Sequence, residues 1–140
     1  MRAFGYSITV TDLDKAVAFY SRLFSLHPHV EDGRAVFENG FEIYSENERR
    51  YSLSLPRDFC FSRTLSDSAV FVSDDFSALL KVLEDGFFKS HVIKKSRSEV
   101  VIVDDDFNSI IIRDSGLRSA FLSEGQVSSL REKGFSNWKK

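Results

Sequence analysis

The order of strand and helix signals occurs twice along this chain, and that repeat limits its possible folds more than any other feature. Residues 8–12 (Ile-Thr-Val-Thr-Asp) have a counterpart in residues 70–74 (Val-Phe-Val-Ser-Asp), 62 positions later. The same offset places Ala16 on Ala78. Self-similarity at a fixed spacing is the signature of a repeated structural unit. We therefore expect two copies of one unit to pack together.

The first unit has the pattern of a strand, a helix and three further strands. Residues 4–11 alternate around Ile8 and Val10, as in a strand with one buried face. Thr11 is a suitable N-cap for a helix over about 12–25, which His27-Pro28 would end. Asn39-Gly40 favours a hairpin turn between the first two of the later strands because both residues tolerate positive φ. Those strand-like runs lie near 29–37, 41–45 and 51–61.

The second unit repeats this βαβββ order. A helix is predicted over about 74–85, with Gly86 as its stop, and strand-like runs follow at 89–94, 99–103 and 109–113. We expect one α+β domain over residues 1–140, made of module one (about 1–62), module two (about 63–116) and a tail, 117–140. In the tail, Ser123 and Gln126 form a capping box that predicts a short helix over about 124–133.

Composition excludes several classes of protein. The 140 residues carry a net charge of −2, and the basic residues form no stripe, so nucleic acid is not an expected partner. The single Cys60 cannot form an internal disulfide, which favours a reducing compartment. No apolar run approaches 18 residues and no signal-peptide core follows Met1, so we expect a cytoplasmic protein without a membrane partner.

Two segments resemble the vicinal oxygen chelate superfamily, which includes glyoxalase I, bleomycin-resistance proteins and extradiol dioxygenases. They are the Val-x-Asp-Leu-Asp-Lys-Ala-x-x-Phe-Tyr helix entry at 10–20 and the acidic segment with an apolar strand at 104–112. The resemblance implies two βαβββ modules in a U-shaped mixed sheet around a concave trough, with the helices outside. In the second segment, Asp105, Phe107 and Ile111 stand where the superfamily has Pro, Gly and Glu.

The resemblance also implies four positions for metal ligands, at Gly5, Glu42, Asp67 and Ile111. Only Glu42 keeps a standard ligand type in its place, and Asp67 could supply a second oxygen. Two oxygens are too few for a structural or catalytic metal site. We therefore expect no metal and no cofactor. The alternative is a divergent metal-dependent lyase or dioxygenase with ligands from Glu42, Asp67 and the histidines His27, His29 and His91.

Strand alternation predicts which residues line the trough. The set expected to face the helices is Ile8, Val10, Val70, Val72, Ile110 and Ile112. The candidate ligand-binding residues on the opposite face are Glu42, Tyr44, Asp67, Phe71, Ile111 and Arg113. This mixed set suits a small organic ligand with an apolar body and a polar end. Alternatively, these side chains, or the tail with Trp138, fill the trough.

The sequence identifies no catalytic constellation. No glycine-rich phosphate loop is present, and Cys60 lies between two phenylalanines without an evident base. We therefore expect a metal-free protein that binds or sequesters a small molecule, like the bleomycin-resistance proteins, and that forms a homodimer. The alternatives are the metal-dependent enzyme above and a protein-interaction module whose trough is occluded. The residues do not identify the ligand.

Overall fold

The computed structural model describes residues 5–61 and 68–116. Its helices are α1 (Leu13–Phe24), α2 (Glu46–Ser52) and α3 (Phe76–Leu83). Its strands are β1 (Tyr6–Val10), β2 (His29–Glu31), β3 (Arg34–Val36), β4 (Phe41–Ser45), β5 (Ser68–Ser73), β6 (Val92–Lys95), β7 (Glu99–Val103) and β8 (Ser109–Asp114). The helix predicted at 124–133 and its capping box lie outside the described residues. No described helix has the length and apolar character needed to cross a membrane.

The strands form two four-stranded sheets with identical connectivity. Their orders are β1-β4-β3-β2 in module one and β5-β8-β7-β6 in module two. In each sheet the first strand pairs in parallel with the last, and the other pairs are antiparallel. Parallel pairing of the first and last strands is possible because the intervening chain crosses back over the sheet through a helix. The predicted α+β fold of two βαβββ modules is confirmed.

Module one differs from its prediction in two places. The run at 29–37 is a hairpin of β2 and β3, joined at Asp32-Gly33, where φ is 49° and 77°. Two positive φ values suit a tight hairpin turn. The Asn39-Gly40 turn forms between the runs 29–37 and 41–45, as predicted, and connects β3 to β4.

The strand predicted over 51–61 is wrong, because residues 46–52 form α2 and the described chain has no strand from 53 to 61. The reason is an N-cap: the Ser45 hydroxyl accepts a hydrogen bond from the Glu48 amide at 3.2 Å. Helix α1 also begins at a side-chain N-cap. Its N-cap is Asp12, whose carboxylate accepts from the Lys15 amide at 3.1 Å, whereas the predicted cap, Thr11, lies one residue earlier.

One hydrophobic core serves both modules. The Phe24 ring at the end of α1 lies 5.1 Å from the Phe71 ring on β5. The Phe41 ring on β4 lies 5.8 Å from Phe71. Farther along α1, Phe19 contacts Phe88 with ring centroids 5.2 Å apart. Helix α1 therefore packs on its own sheet and on module two together.

The predicted facing of β5 is wrong. Ala69 is 3% exposed and Phe71 packs against the core, whereas Val70 is 52% and Val72 is 39% exposed. The cause is that strand and helix of module two both lie 63 positions after those of module one, since each strand ends two residues before its helix N-cap. The N-caps Asp12 and Asp75 are 63 positions apart, so the structural repeat is 63 and not 62. An offset of 62 therefore turns every β5 side chain to the wrong face.

The turn between β7 and β8 joins module two to module one. The Asp104 carboxylate accepts a hydrogen bond from the buried Tyr20 hydroxyl at 2.6 Å, and this contact contributes, after burial, to raising the pKa of Tyr20. The Asn108 side-chain amide donates to the Thr9 carbonyl at 3.3 Å. The Thr11 hydroxyl donates to Asp106 at 2.9 Å. The acidic segment is thus a structural connection between the modules.

Candidate functional site

Each sheet has an open face, which we define as the face turned away from the core and from α1 and α3. Cross-strand neighbours share a face. In module one, Ser7 pairs with Glu42, and Tyr44 lies between Thr9 and Arg34. These residues alternate with the buried Ile8, Ile43 and Ala35. The open face of module one is therefore mainly polar.

Helix α2 places Arg49 on this polar face. Its Nε donates to the Thr9 hydroxyl at 3.0 Å, and its Nη2 donates to the Ile8 carbonyl at 3.3 Å. The guanidinium carbon lies 3.8 Å from the centre of the Tyr44 ring, which is a cation–π contact. Burial lowers the pKa of Arg49 from its ordinary value, although an arginine in a protein stays protonated. Arg49 therefore presents a fixed positive charge.

Sequence reasoning missed Arg49 because it assigned residues 46–50 to a solvated mixture of charges. The Ser-x-x-Glu pattern at Ser45 and Glu48, which is typical of a helix start, is the signal that could have found it. Once residues 46–52 are placed in a helix that directly follows β4, that helix must lie near the end of this strand. The sequence therefore contained the evidence for a helix here.

Arg34 flanks the same tyrosine. Its Nη1 donates to the Tyr44 hydroxyl at 3.4 Å, and the Tyr44 hydroxyl donates to Glu42 at 3.4 Å. The hydrogen bond to Tyr44 raises the pKa of Arg34. Among the described residues, no carboxylate forms an ion pair with Arg34 or Arg49. Two guanidinium groups without a carboxylate partner in this part of the chain can donate hydrogen bonds to an anionic or carbonyl oxygen of a ligand.

The open face of module two is mainly apolar. In the sheet register, Ile111 pairs with Val70 and with Val101, so all three share one face. Further along the same face are Val72, Val103 and Arg113. Arg113 donates through Nε to Glu99 at 3.0 Å, and Lys94 lies 3.7 Å from the same carboxylate. A charged group thus borders an exposed patch of valine and isoleucine.

The structure brings together only some of the six candidate ligand-binding residues. Glu42 and Tyr44 are in contact on module one, and Ile111 and Arg113 share the open face of module two. Phe71 does not belong with them, because it pairs with Ile112 and packs on the core side. Asp67 lies outside the described residues.

The strand pairing shows where the four metal-ligand positions implied by the resemblance lie in the two sheets. Glu42 pairs with Ser7, and Ile111 pairs with Val70, so these two positions are equivalent. Two residues earlier on the first strands stand Gly5 in module one and Ser68 in module two. Ser68 thus occupies the ligand position that the repeat offset of 62 had assigned to Asp67. One carboxylate at these four positions does not suffice to hold a metal ion.

The histidines do not complete such a site. His29 contacts Glu31 on β2 at 3.1 Å, and His91 contacts Asp105 in the β7–β8 turn at 3.0 Å. Asp105 also forms an ion pair with Lys15, and these two partners lower the pKa of its carboxyl group. Across residues 5–61 and 68–116, no three His, Cys, Asp or Glu side chains are grouped so as to hold a metal ion.

Gly5 is fixed by the close approach of the β3–β4 turn. A Cβ atom at this position would lie 2.1 Å from the Gly40 carbonyl oxygen, which is a backbone atom. We expect Gly5→Ala to lower the free energy of unfolding by about 2 kcal/mol, because the strand or the turn must move. Urea denaturation measures this. Gly86→Ala is the matched control, since nothing lies within 4 Å of its Cβ position, and an equal loss there would contradict the explanation.

Solved structures with the same arrangement of modules establish what the fold is. A glyoxalase/bleomycin resistance protein/dioxygenase family enzyme from Burkholderia phytofirmans superposes with a TM-score of 0.61, at 16% identity, over 79% of this chain and 96% of that one. This chain has the vicinal oxygen chelate fold. No family sequence model and no curated protein matches it.

Other solved structures share the vicinal oxygen chelate fold with this chain. A glyoxalase-related enzyme from Fulvimarina pelagi has a TM-score of 0.62 at 12% identity, covering 81% of this chain and 87% of that one. Lactoylglutathione lyase from Agrobacterium tumefaciens has a TM-score of 0.58 at 20% identity, covering 83% and 95%. At these identities the likeness concerns the fold alone, and the function of this chain depends on its own residues.

Proposed function

We propose that this protein binds a small organic molecule on its open faces without a metal ion. The observation that carries the proposal is the pair of guanidinium groups, Arg34 and Arg49, on either side of Tyr44. These groups would bind a carboxylate or carbonyl of the ligand. The exposed valine and isoleucine patch of module two would contact its apolar body. A polar anchor beside apolar surface is the usual composition of a small-molecule site.

The contacts between modules support a ligand that touches both open faces. The Asn108 side chain, one residue before β8, bonds the Thr9 carbonyl near the end of β1. The start of β8 is therefore next to the end of β1. Since β1 and β5 are edge strands of their sheets, we infer that the two open faces adjoin on this side.

Octanoate and benzoate are suitable probes because each combines a carboxylate with an apolar body. We expect millimolar or tighter binding, measured by calorimetry, and chemical-shift changes at Tyr44 and Arg49 in NMR spectra. Octanol, which lacks the charge, should bind at least about tenfold more weakly. Unbiased mass spectrometry of the purified protein would then search for the natural ligand.

Arg34→Gln is expected to weaken octanoate binding by about 10- to 100-fold, because a charge-assisted hydrogen bond is lost. Arg34 is exposed on β3, so the fold should be retained. The matched control is Arg22→Gln, which removes a guanidinium stacked on the Phe87 ring at 4.2 Å, away from the open faces. Equal affinities of both variants and the unaltered protein would refute the proposed anchor.

A metal-dependent lyase or dioxygenase is the competing function, because Glu42 keeps a ligand type at one family position. Elemental analysis after mild purification separates the two proposals. If the protein binds its ligand without a metal, we expect the purified protein to contain less than about 0.1 equivalent of Zn, Ni, Fe or Mn per chain. About one equivalent, lost on Glu42→Gln, would overturn it in favour of the enzyme.

The homodimer stays a prediction. It follows from the general preference of soluble oligomers for twofold pairing. Sedimentation at micromolar concentration is expected to show a species of twice the 16.0 kDa chain mass. A monomer alone would contradict it.

A further inference from the structure

The apolar open face of module two has no cover within the described part of the chain. Val70 on β5 is 52% exposed and Val72 is 39% exposed, although both lie within the strand. Ile111 and Val101 beside them are half-buried. An exposed patch of adjoining aliphatic side chains on a sheet generally marks a contact surface. The question is what binds there.

We propose that residues 117–140 of the same chain fold back and cover this face. Strand β8, which contributes Ile111 and Arg113 to the face, ends at Asp114. The 24 residues after Gly116 therefore start at one end of the patch. They would span about 36 Å as a helix, whereas a six-residue strand is only about 20 Å long. The segment is long enough to turn and run along the whole face.

The composition of the segment matches such a role. It carries apolar residues to place on the sheet: Phe121, Leu122, Val127, Leu130, Phe135 and Trp138. It also holds five of the 19 Lys and Arg residues but only two of the 21 Asp and Glu residues. The segment is therefore net positive and the rest of the chain net negative. This difference favours contact between the segment and the rest of the same chain.

The consequence for ligand binding rests on the proposed function. If the apolar body of the ligand uses the same patch, residues 117–140 compete with it and lower its affinity.

Engineered disulfides in the full-length chain test the placement. Cys60 is the single cysteine, so Cys60→Ser gives a cysteine-free background. Into it we would introduce Val70→Cys together with Leu122→Cys or Leu130→Cys, oxidise mildly, and separate the products without reductant. The control pairs Val30→Cys with the same tail positions, because Val30 is 49% exposed on β2 of the other module.

An intrachain disulfide formed at least about tenfold faster with Val70→Cys than with Val30→Cys is the expected result. A covalent dimer would overturn the proposal in favour of a second copy, and equal rates for the two positions would overturn it outright. Octanoate titration of the oxidised and reduced protein adds a separate arm. If the disulfide forms but octanoate does not bind the reduced protein, the proposed function fails while the placement of the segment stands.

Discussion

Asp104→Ala is expected to lower the free energy of unfolding by about 3 to 4 kcal/mol. The carboxylate accepts hydrogen bonds from the backbone amides of Asp106 and Asn108, both at 2.9 Å, and from the Asn108 side chain at 3.0 Å. Its fourth donor is the Tyr20 hydroxyl at 2.6 Å. Tyr20 is fully buried, so alanine at 104 would leave that hydroxyl without an acceptor. Urea denaturation would measure the loss.

Two variants make the result specific. Asp105→Ala removes a neighbouring, half-exposed carboxylate that forms an ion pair with the exposed Lys15 and contacts His91 at 3.0 Å. Exposed pairs contribute little, so the loss should stay below about 1 kcal/mol. Asp104→Asn keeps one oxygen acceptor and should lie between the two. A loss of stability at Asp105 equal to that at Asp104 would show that negative charge anywhere in the turn is stabilising, and that the hydrogen bond from the buried Tyr20 hydroxyl is not the cause.

Phe71→Ala is expected to lower the free energy of unfolding by about 3 kcal/mol, whereas Val72→Ala should cost less than about 1 kcal/mol. Phe71 packs against both Phe24 and Phe41, which come from module one. Its removal would leave a cavity at the contact between modules. Val72, on the other face, is 39% exposed and loses little burial. The comparison uses thermal or urea unfolding of both variants.

The opposite ranking would mean that β5 presents its other face to the core, as the sequence repeat alone predicted. In that case the exposed patch proposed to contact ligand and residues 117–140 would not exist. This pair of variants therefore tests the strand facing on which both proposals depend.

Elements with a strong local signal were predictable from the sequence. Strand β7 has the predicted bounds, and α1 and α3 fall within their predicted spans, because alternation and helical periodicity are set by each segment alone. The Asn39-Gly40 turn was found for the same reason. The sequence also assigned Glu42 and Ile111 to corresponding positions in the two modules, and the observed strand pairing agrees with this.

What the sequence could not provide was the facing of β5. Two residues, Asp74 and Asp75, are both acceptable N-caps, and the use of Asp75 changes the repeat offset from 62 to 63 for the strand as well as for the helix. Alternation of Val and Phe gives no warning, since all are apolar. Phe71 is selected for the core by the shape of the space between Phe24 and Phe41, which only the packed modules define.

The candidate site was only partly predictable for a related reason. Glu42 and Tyr44 were found because β4 alternates clearly. Arg49 was not, because its contacts with Thr9 and Tyr44 cross from a helix to residues on two strands. Such contacts depend on where α2 packs, and a pattern of charges within five residues does not encode this.

The connection between the β7–β8 turn and module one also affects how the chain folds. Tyr20 and Asp104 are separated by 84 residues, and Thr9 and Asn108 by 99. During synthesis, the first helix therefore emerges long before the turn that holds its buried hydroxyl. Contacts this distant in sequence slow folding, because a long loop must close before they form. Until residue 108 leaves the ribosome, module one is an incomplete folding unit with its aromatic surface exposed, and at that stage the chain is most vulnerable to aggregation.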